Sequence, residues 1–209
     1  MQKLLLVITV LGTLAMVFGF TYSTGSEYGI QEEFLKKFKE ANQNMTSIES
    51  DFTQKHVMQI MDEPIISTGK FYYKKPNLMK WDQRTPSPYY FIVSGDKVIK
   101  FDGKKRKELS VNNPQVSYFK NFIMSTVDGS IFQSKQFEYI YATKGDYYHV
   151  VLTPKDKNML KRIDKIMLTF NNSTLALTEL ILMEAGGDKM NITFTNQQFN
   201  SISDNSIFN

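Results

Sequence analysis

From Ile48 onward the apolar residues recur at every second position, in short runs separated by turn residues. That alternation constrains the fold more than any other feature, because it is the period of a β-strand with one buried face. Candidate strands cover residues 48–58, 65–73, 77–84, 89–94, 97–102, 105–111, 137–142, 147–154, 163–171, 175–183 and 189–199. Their breaks carry turn chemistry: Asp62-Glu63-Pro64, Lys75-Pro76, Pro86-Ser87-Pro88, Gly95-Asp96, Asp102-Gly103, Gly145-Asp146, Asn171-Asn172 and Gly186-Gly187-Asp188. Such short breaks leave no room for crossover helices, so neighbouring strands should be antiparallel. About eleven strands of this kind predict one large, strongly curved sheet, a barrel or part of one.

Two stretches depart from the alternation. Ile30, Phe34, Leu35, Phe38, Ala41 and Met45 repeat at helical spacing on one face. Glu32 and Glu33 are placed in the first turn of that helix, with Lys36, Lys37 and Lys39 later, as the helix dipole favours. The second helix opens with Asn113 as N-cap and Pro114 at the first position. Val116, Phe119, Ile123 and Val127 share its face, Tyr118 and Phe122 flank them, and Gly129 is its stop. In the sheet, alternation puts Phe71, Tyr73, Met79, Trp81, Phe91 and Val93 on one face and Lys70, Lys80 and Asp82 on the other. The fold class is therefore mainly β (α+β), with two amphipathic helices available to cover the apolar face. Whether they fill it or leave a cavity separates an inert domain from a binding protein.

Composition narrows the chemistry. Sixteen Phe, 11 Tyr and 11 Met favour a large or adaptable apolar surface. The absence of cysteine excludes disulfides, thiolate nucleophiles, cysteine metal sites and the cysteine-linked anchor of a bacterial lipoprotein. Lys3, the apolar run 4–20 and the small, polar stretch 21–29 have the form of a secretory signal. Residues 1–25 are read as that signal, cleaved somewhere between Gly19 and Gly25, with an uncleaved membrane anchor as the alternative, and 26–209 as a single exported domain without repeats or linkers. His56 and His149 are the two histidines, each in a predicted strand, and no nucleophile elbow, phosphate-binding loop or metal spacing accompanies them. No enzyme, cofactor or metal is expected. The run Lys104-Lys105-Arg106-Lys107 reads as a solvated hairpin tip; no stacking platform accompanies it, so no nucleic acid is expected. The net charge of +4 is mild.

Several segments together resemble the bacterial outer-membrane lipoprotein carrier family (LolA/LolB-like). They are Phe52-Thr53-Gln54-Lys55, the run from Gly69 through Tyr73-Lys74-Lys75-Pro76-Asn77 to Trp81, Pro86 and Gly95-Asp96-Lys97-Val98. The Asn113-Pro114 helix start, Val151-Leu152-Thr153-Pro154-Lys155 and a last strand near Phe199, with apolar residues down to Phe208, follow in the family's order. The resemblance implies an incomplete antiparallel barrel whose helices form a lid over an apolar cavity, which on the usual scale of ligand sites should measure on the order of several hundred Å³ or more. It implies a periplasmic, monomeric carrier that takes acylated lipoproteins from an inner-membrane release complex to an outer-membrane acceptor. The missing cysteine favours the soluble carrier over the anchored acceptor. Expected cavity residues are Phe52, Phe71, Tyr73, Met79, Trp81 and Phe91 from the sheet, and Phe119, Phe122 and Ile123 from the lid. One position departs from the family: Lys75 stands where an arginine binds the lid, and it is expected to hold the second helix or its flanking loop. The rival readings are a lipid or lipoprotein sensor of the same fold, an enzyme on lipid or glycan, and a structural domain with a filled core.

Overall fold

The computed structural model describes residues 27–209 apart from 111 and 113, and omits the side chains of 27, 28, 114, 115 and 119. The signal expected in residues 1–25, the Asn113 cap and the Phe119 side chain therefore lie outside the described residues. Helix α1 (Glu27–Asn44) precedes strands β1 (Ser47–Val57), β2 (Ile65–Lys74), β3 (Leu78–Thr85), β4 (Tyr89–Ser94), β5 (Lys97–Phe101) and β6 (Arg106–Leu109). Helix α2 (Pro114–Asp128) and the short 3-10 helix Ser130–Gln133 lead into β7 (Phe137–Lys144) and β8 (Tyr147–Pro154). The short α3 (Lys157–Leu160), β9 (Ile163–Asn171), β10 (Leu177–Glu184) and β11 (Lys189–Phe199) complete the sheet, and Ser206–Phe208 forms a last 3-10 turn.

All eleven strands join one sheet in the order β6-β5-β4-β3-β2-β1-β11-β10-β9-β8-β7. Every neighbouring pair is antiparallel. Two meanders meet where the first strand pairs with the last, and the free edges are β6 and β7. The sheet is not closed into a barrel. Because α2 is the chain between those two edges, it is also the element that bridges the gap.

Three local devices set which side chains face the concavity. Phe52 stacks on Trp81 with ring centroids 4.0 Å apart. A Cβ on Gly69 would lie 2.8 Å from Phe52 Cε1 and would strike the Asp82 carbonyl, so only glycine lets β2 run beneath that ring. On β11, Asn196 adopts a left-handed φ of 52°. Its Nδ2 donates to Asp51 at 2.8 Å, and the β1–β11 register slips between Glu49 and Asp51. This bulge advances the alternation by one residue, so that Gln197 and Phe199, not Asn196 and Gln198, point inward. Finally, α2 stops at Gly129 (φ 82°), where a Cβ would collide with the Phe38 ring.

Some elements differ from expectation. Strand β10 starts at Leu177 because Leu175 is left-handed, φ 55°. Asn171 Oδ1 accepts the N–H groups of Ser173 and Thr174, and Leu175 N–H returns to the Asn171 carbonyl, so a side-chain-capped turn replaces the first strand residues. Helix α1 starts at Glu27, which moves Glu32 and Glu33 to its second turn. On the convex face Tyr72 and Ile92 are buried under Ile202 and Phe208. The chain reaches that face because Asn200 (φ 59°) turns it after β11 and Ile202 N–H bonds to Ser47 Oγ at 3.1 Å.

Candidate functional site

Helix α1 fixes one half of the concave face. Phe34 is fully buried, its ring 5.1 to 5.7 Å from those of Phe132, Phe170, Tyr148 and Tyr141. At the surface of this cluster Tyr148 Oη donates to Glu33 at 2.7 Å, and Lys37 pairs with the same carboxylate oxygen at 2.7 Å. Those two bonds hold the Glu33 carboxyl below the usual carboxylate range, the lysine being the larger cause. Over β7 to β9 the interior is therefore solid.

Between this cluster and the Phe52–Trp81–Phe71–Phe194 group lies a cavity of about 260 Å³. Its floor is Phe71, Trp81, Leu180 and Phe194, and its far wall is Phe170 and Leu175. Phe38, Ala41 and Met45 of α1, with Ile123, Thr126 and Val127 of α2, roof it. The exposed rim is Asn44, Thr174, Phe199 and Asn200, at the end of the sheet where α1 stops and β11 ends. The interior is apolar and the rim polar, an arrangement that accepts an alkyl chain and leaves a polar head in water.

The expected site residues distribute unevenly. Phe71, Trp81 and Ile123 line the cavity, and Phe52 supports Trp81 from the side. Tyr73, Met79 and Phe91 are buried in the same core cluster without bordering the cavity. Burial pushes the Tyr73 phenol up to about 12, so it stays neutral. Phe122 faces away, into a second recess, also of about 260 Å³ but more evenly mixed in polarity, with Tyr118, Ile131 and Phe137. Leu180, Phe194 and Phe199 went unread as cavity residues because β10 and β11 reach the site by pairing next to β1, at the far end of the chain. Phe38, Ala41 and Met45 were legible as a helix face, with nothing in the spacing to say which turn would be left above a void.

Lys75 does hold a helix, and that helix is α1. Its ammonium donates to the Asn42 carbonyl in the last turn of α1, a group with no partner inside the helix. The same residue's N–H bonds to the Thr46 carbonyl at 2.9 Å. The expected hold on α2 is indirect, since Asn42 Nδ2 donates to the Val127 carbonyl at 3.1 Å near the end of α2. On the other side Asn200 Nδ2 donates to the Asn44 carbonyl at 3.1 Å, while its Oδ1 accepts from Thr46 N–H at 2.7 Å. Lys75, Asn42 and Asn200 thus fasten the helix ends at the cavity rim.

Neither histidine borders the cavity. His149 lies on the convex face 3.3 Å from Thr169 Oγ1, and burial lowers its pKa. Among the described residues no group of His, Asp or Glu is arranged to hold a metal ion, and no helix is long and apolar enough to cross a membrane.

Comparison with known proteins accords with this geometry. A family model described as outer membrane lipoprotein carrier protein LolA matches residues 43–209. The chain belongs to the LolA family. An outer-membrane lipoprotein carrier protein of Pseudoalteromonas translucida (strain TAC 125) is 22% identical over 204 residues, spanning 95% of this chain and 90% of that one. Among solved structures, one from the MucA/MucB complex of Pseudomonas aeruginosa superposes with a TM-score of 0.53 at 11% identity, over 87% of this chain and 60% of that one. A LolA superfamily protein from Nitrosomonas europaea gives a TM-score of 0.45 at 13% identity, over 86% of this chain and 97% of that one. At such identities the structural likeness is one of fold alone.

Proposed function

We propose that this chain is a soluble periplasmic carrier that shelters the acyl chains of lipoproteins in the cavity and ferries them from the inner to the outer membrane. The observation that carries this reading is an apolar cavity roofed by two helices in a LolA-family chain. A release complex in the inner membrane would load it and an outer-membrane acceptor would unload it. It would act by binding, without catalysing a reaction.

The energetics suit such a task. Each buried methylene contributes about 0.8 kcal/mol, so a long acyl chain gains on the order of 10 kcal/mol by leaving water. A volume of 260 Å³ lies just under the range of roughly 300–1,000 Å³ typical of ligand sites, and under the size expected from the resemblance. A complete chain therefore requires the roof to rise. The described side-chain bonds that tie α2 to the other helices, Asn42 to Val127 and Tyr118 to Met159 Sδ, are few enough for α2 to be the moving part.

Ile123→Trp tests the reading by filling the cavity from the roof. It should weaken binding of a fluorescent acyl probe by about tenfold, the equivalent of roughly two buried methylenes. Transfer of a labelled acylated lipoprotein to outer-membrane acceptor should fall with it, while the melting temperature changes little. Wild-type probe binding in the variant would sink the cavity as the acyl site. Probe binding without any transfer by the wild-type chain would instead favour a lipid or lipoprotein sensor.

A further inference from the structure

The cavity leaves one strongly charged feature unused. Strands β5 and β6 and their turn carry Lys97, Lys100, Lys104, Lys105, Arg106 and Lys107 against Asp102 and Glu108. That excess equals the net charge of the whole chain, +4, so the remainder of the molecule is balanced. None of the five ion pairs among the described residues involves these cations. Lys107 lies directly opposite Lys100 across the ladder, a like-charge pair that opposes strand pairing. Asp102, the acid of the turn, spends its Oδ1 on the N–H groups of Lys104 and Lys105 at 3.2 and 3.0 Å. The residues 104–108 are all exposed.

A second observation falls at the same end of the sheet. In an antiparallel meander the β1–β2, β3–β4 and β5–β6 connections share one end, opposite the β2–β3 turn at Lys75 and the cavity rim. The β1–β2 loop presents Ile60 and Met61, 91% and 44% exposed. Protruding apolar side chains at the same end of the sheet as a lysine-rich hairpin match what an interfacial membrane contact requires. A protein partner fits less well. Lysine is depleted at protein interfaces, and these cations border neither the cavity nor the recess beside α2. Asp62, Glu63 and Asp188 also sit at this end and oppose the contact. The hairpin cations outnumber them.

We propose that this end of the sheet docks transiently on a bilayer rich in anionic phospholipid. The Lys104–Lys107 side chains contact headgroups, and Ile60 and Met61 enter the interface. The contact leaves the cavity rim, at the other end of the sheet, free.

The test is flotation of the full chain with phosphatidylcholine vesicles, with and without phosphatidylglycerol, at low and high salt. Any contribution of residues 1–25 is common to every variant. Binding should require phosphatidylglycerol and fade at high salt. Each cation removed should lower partitioning about fivefold, so Lys104→Gln with Lys105→Gln should cost about 25-fold. Ile60→Ser with Met61→Ser should lower binding and leave its salt dependence unchanged. Acyl-probe binding should stay at the wild-type value in all of these variants, which keeps the outcome separate from that of the carrier reading. Absence of binding to anionic vesicles at low salt, equal binding to both vesicle types, or indifference to the lysine substitutions would each overturn the proposal.

Discussion

Over β7 to β9 the concave face is closed by Phe34, whose ring touches five other aromatic rings. Over β1 to β3 and β11 the same face stops at Trp81 and Phe194, and a void of about 260 Å³ separates it from its roof. Both halves carry the same alternating pattern and lie under the same helix. The difference arises along α1 itself. Phe34 fills the first half to full depth, Phe38 one turn later is shared between core and cavity, and the following turn offers Ala41. Residues at i, i+4 and i+7 lie on one helix face, so the fall from Phe to Ala turns a filled interior into a hollow one within about two turns. A cavity of this kind is made by side-chain volume rather than by backbone shape.

The largest expected effect follows directly. Phe34→Ala should destabilise the chain by about 3–5 kcal/mol, because it empties the middle of a cluster with little room to collapse. Urea denaturation measures this, and acyl-probe binding by the protein that remains folded should persist. A loss below about 1 kcal/mol would mean the supposedly solid half is as loosely filled as the other, and the contrast would break.

How much of this was legible beforehand follows from which forces act locally. Strand runs, the Gly129 stop and the apolar face with Phe71 and Trp81 depend on neighbours within a few residues, and they were read from alternation and turn chemistry. The Gly69 position belonged to the resemblance, and its reason, the Phe52 ring lying across it, appears only when β1 and β2 are paired. Leu180, Phe194 and Phe199 escaped because their role needs the last strand beside the first and a one-residue bulge at Asn196. Lys75 was picked out through the resemblance as a hold on α2, and its ammonium bonds α1 directly and reaches α2 only through Asn42. Nothing local distinguishes the last-turn carbonyl of α1 from any other acceptor.

Lys75 stands where the two halves of the roof are fastened, so its removal should separate their behaviour. The ammonium is half-buried, and its bond to the Asn42 carbonyl contributes about 1.5 kcal/mol, the low end for a charge-assisted bond. Lys75→Leu should cost at most that much in global stability and speed the exchange of bound acyl probe in stopped flow. Lys75→Arg, with a planar fork able to take a second carbonyl, should slow it. If both variants exchange probe at the wild-type rate, the end of α1 is not part of the gate. Access would then be set by α2 alone.

The smallest effect concerns the cavity's far wall, where Leu175 is buried to 9% exposure with a left-handed backbone. For a residue with a Cβ that conformation costs roughly 1–2 kcal/mol. The Asn171-capped turn holds Leu175 there, and its side chain occupies volume at the wall that an acyl chain would otherwise take. Truncation to alanine or to glycine removes the isopropyl group beyond Cβ, and only glycine, which loses Cβ as well, relieves the backbone. Glycine loses more conformational entropy on folding, by about 0.5–1 kcal/mol. Leu175→Gly should therefore be more stable than Leu175→Ala by about 0.5–1 kcal/mol, and both should bind the acyl probe more tightly than the wild type. Equal stability of the two variants would show that the turn bears no strain. Unchanged probe binding would show that Leu175 is wall and not plug, and the hollow half would then owe its size to α1 alone.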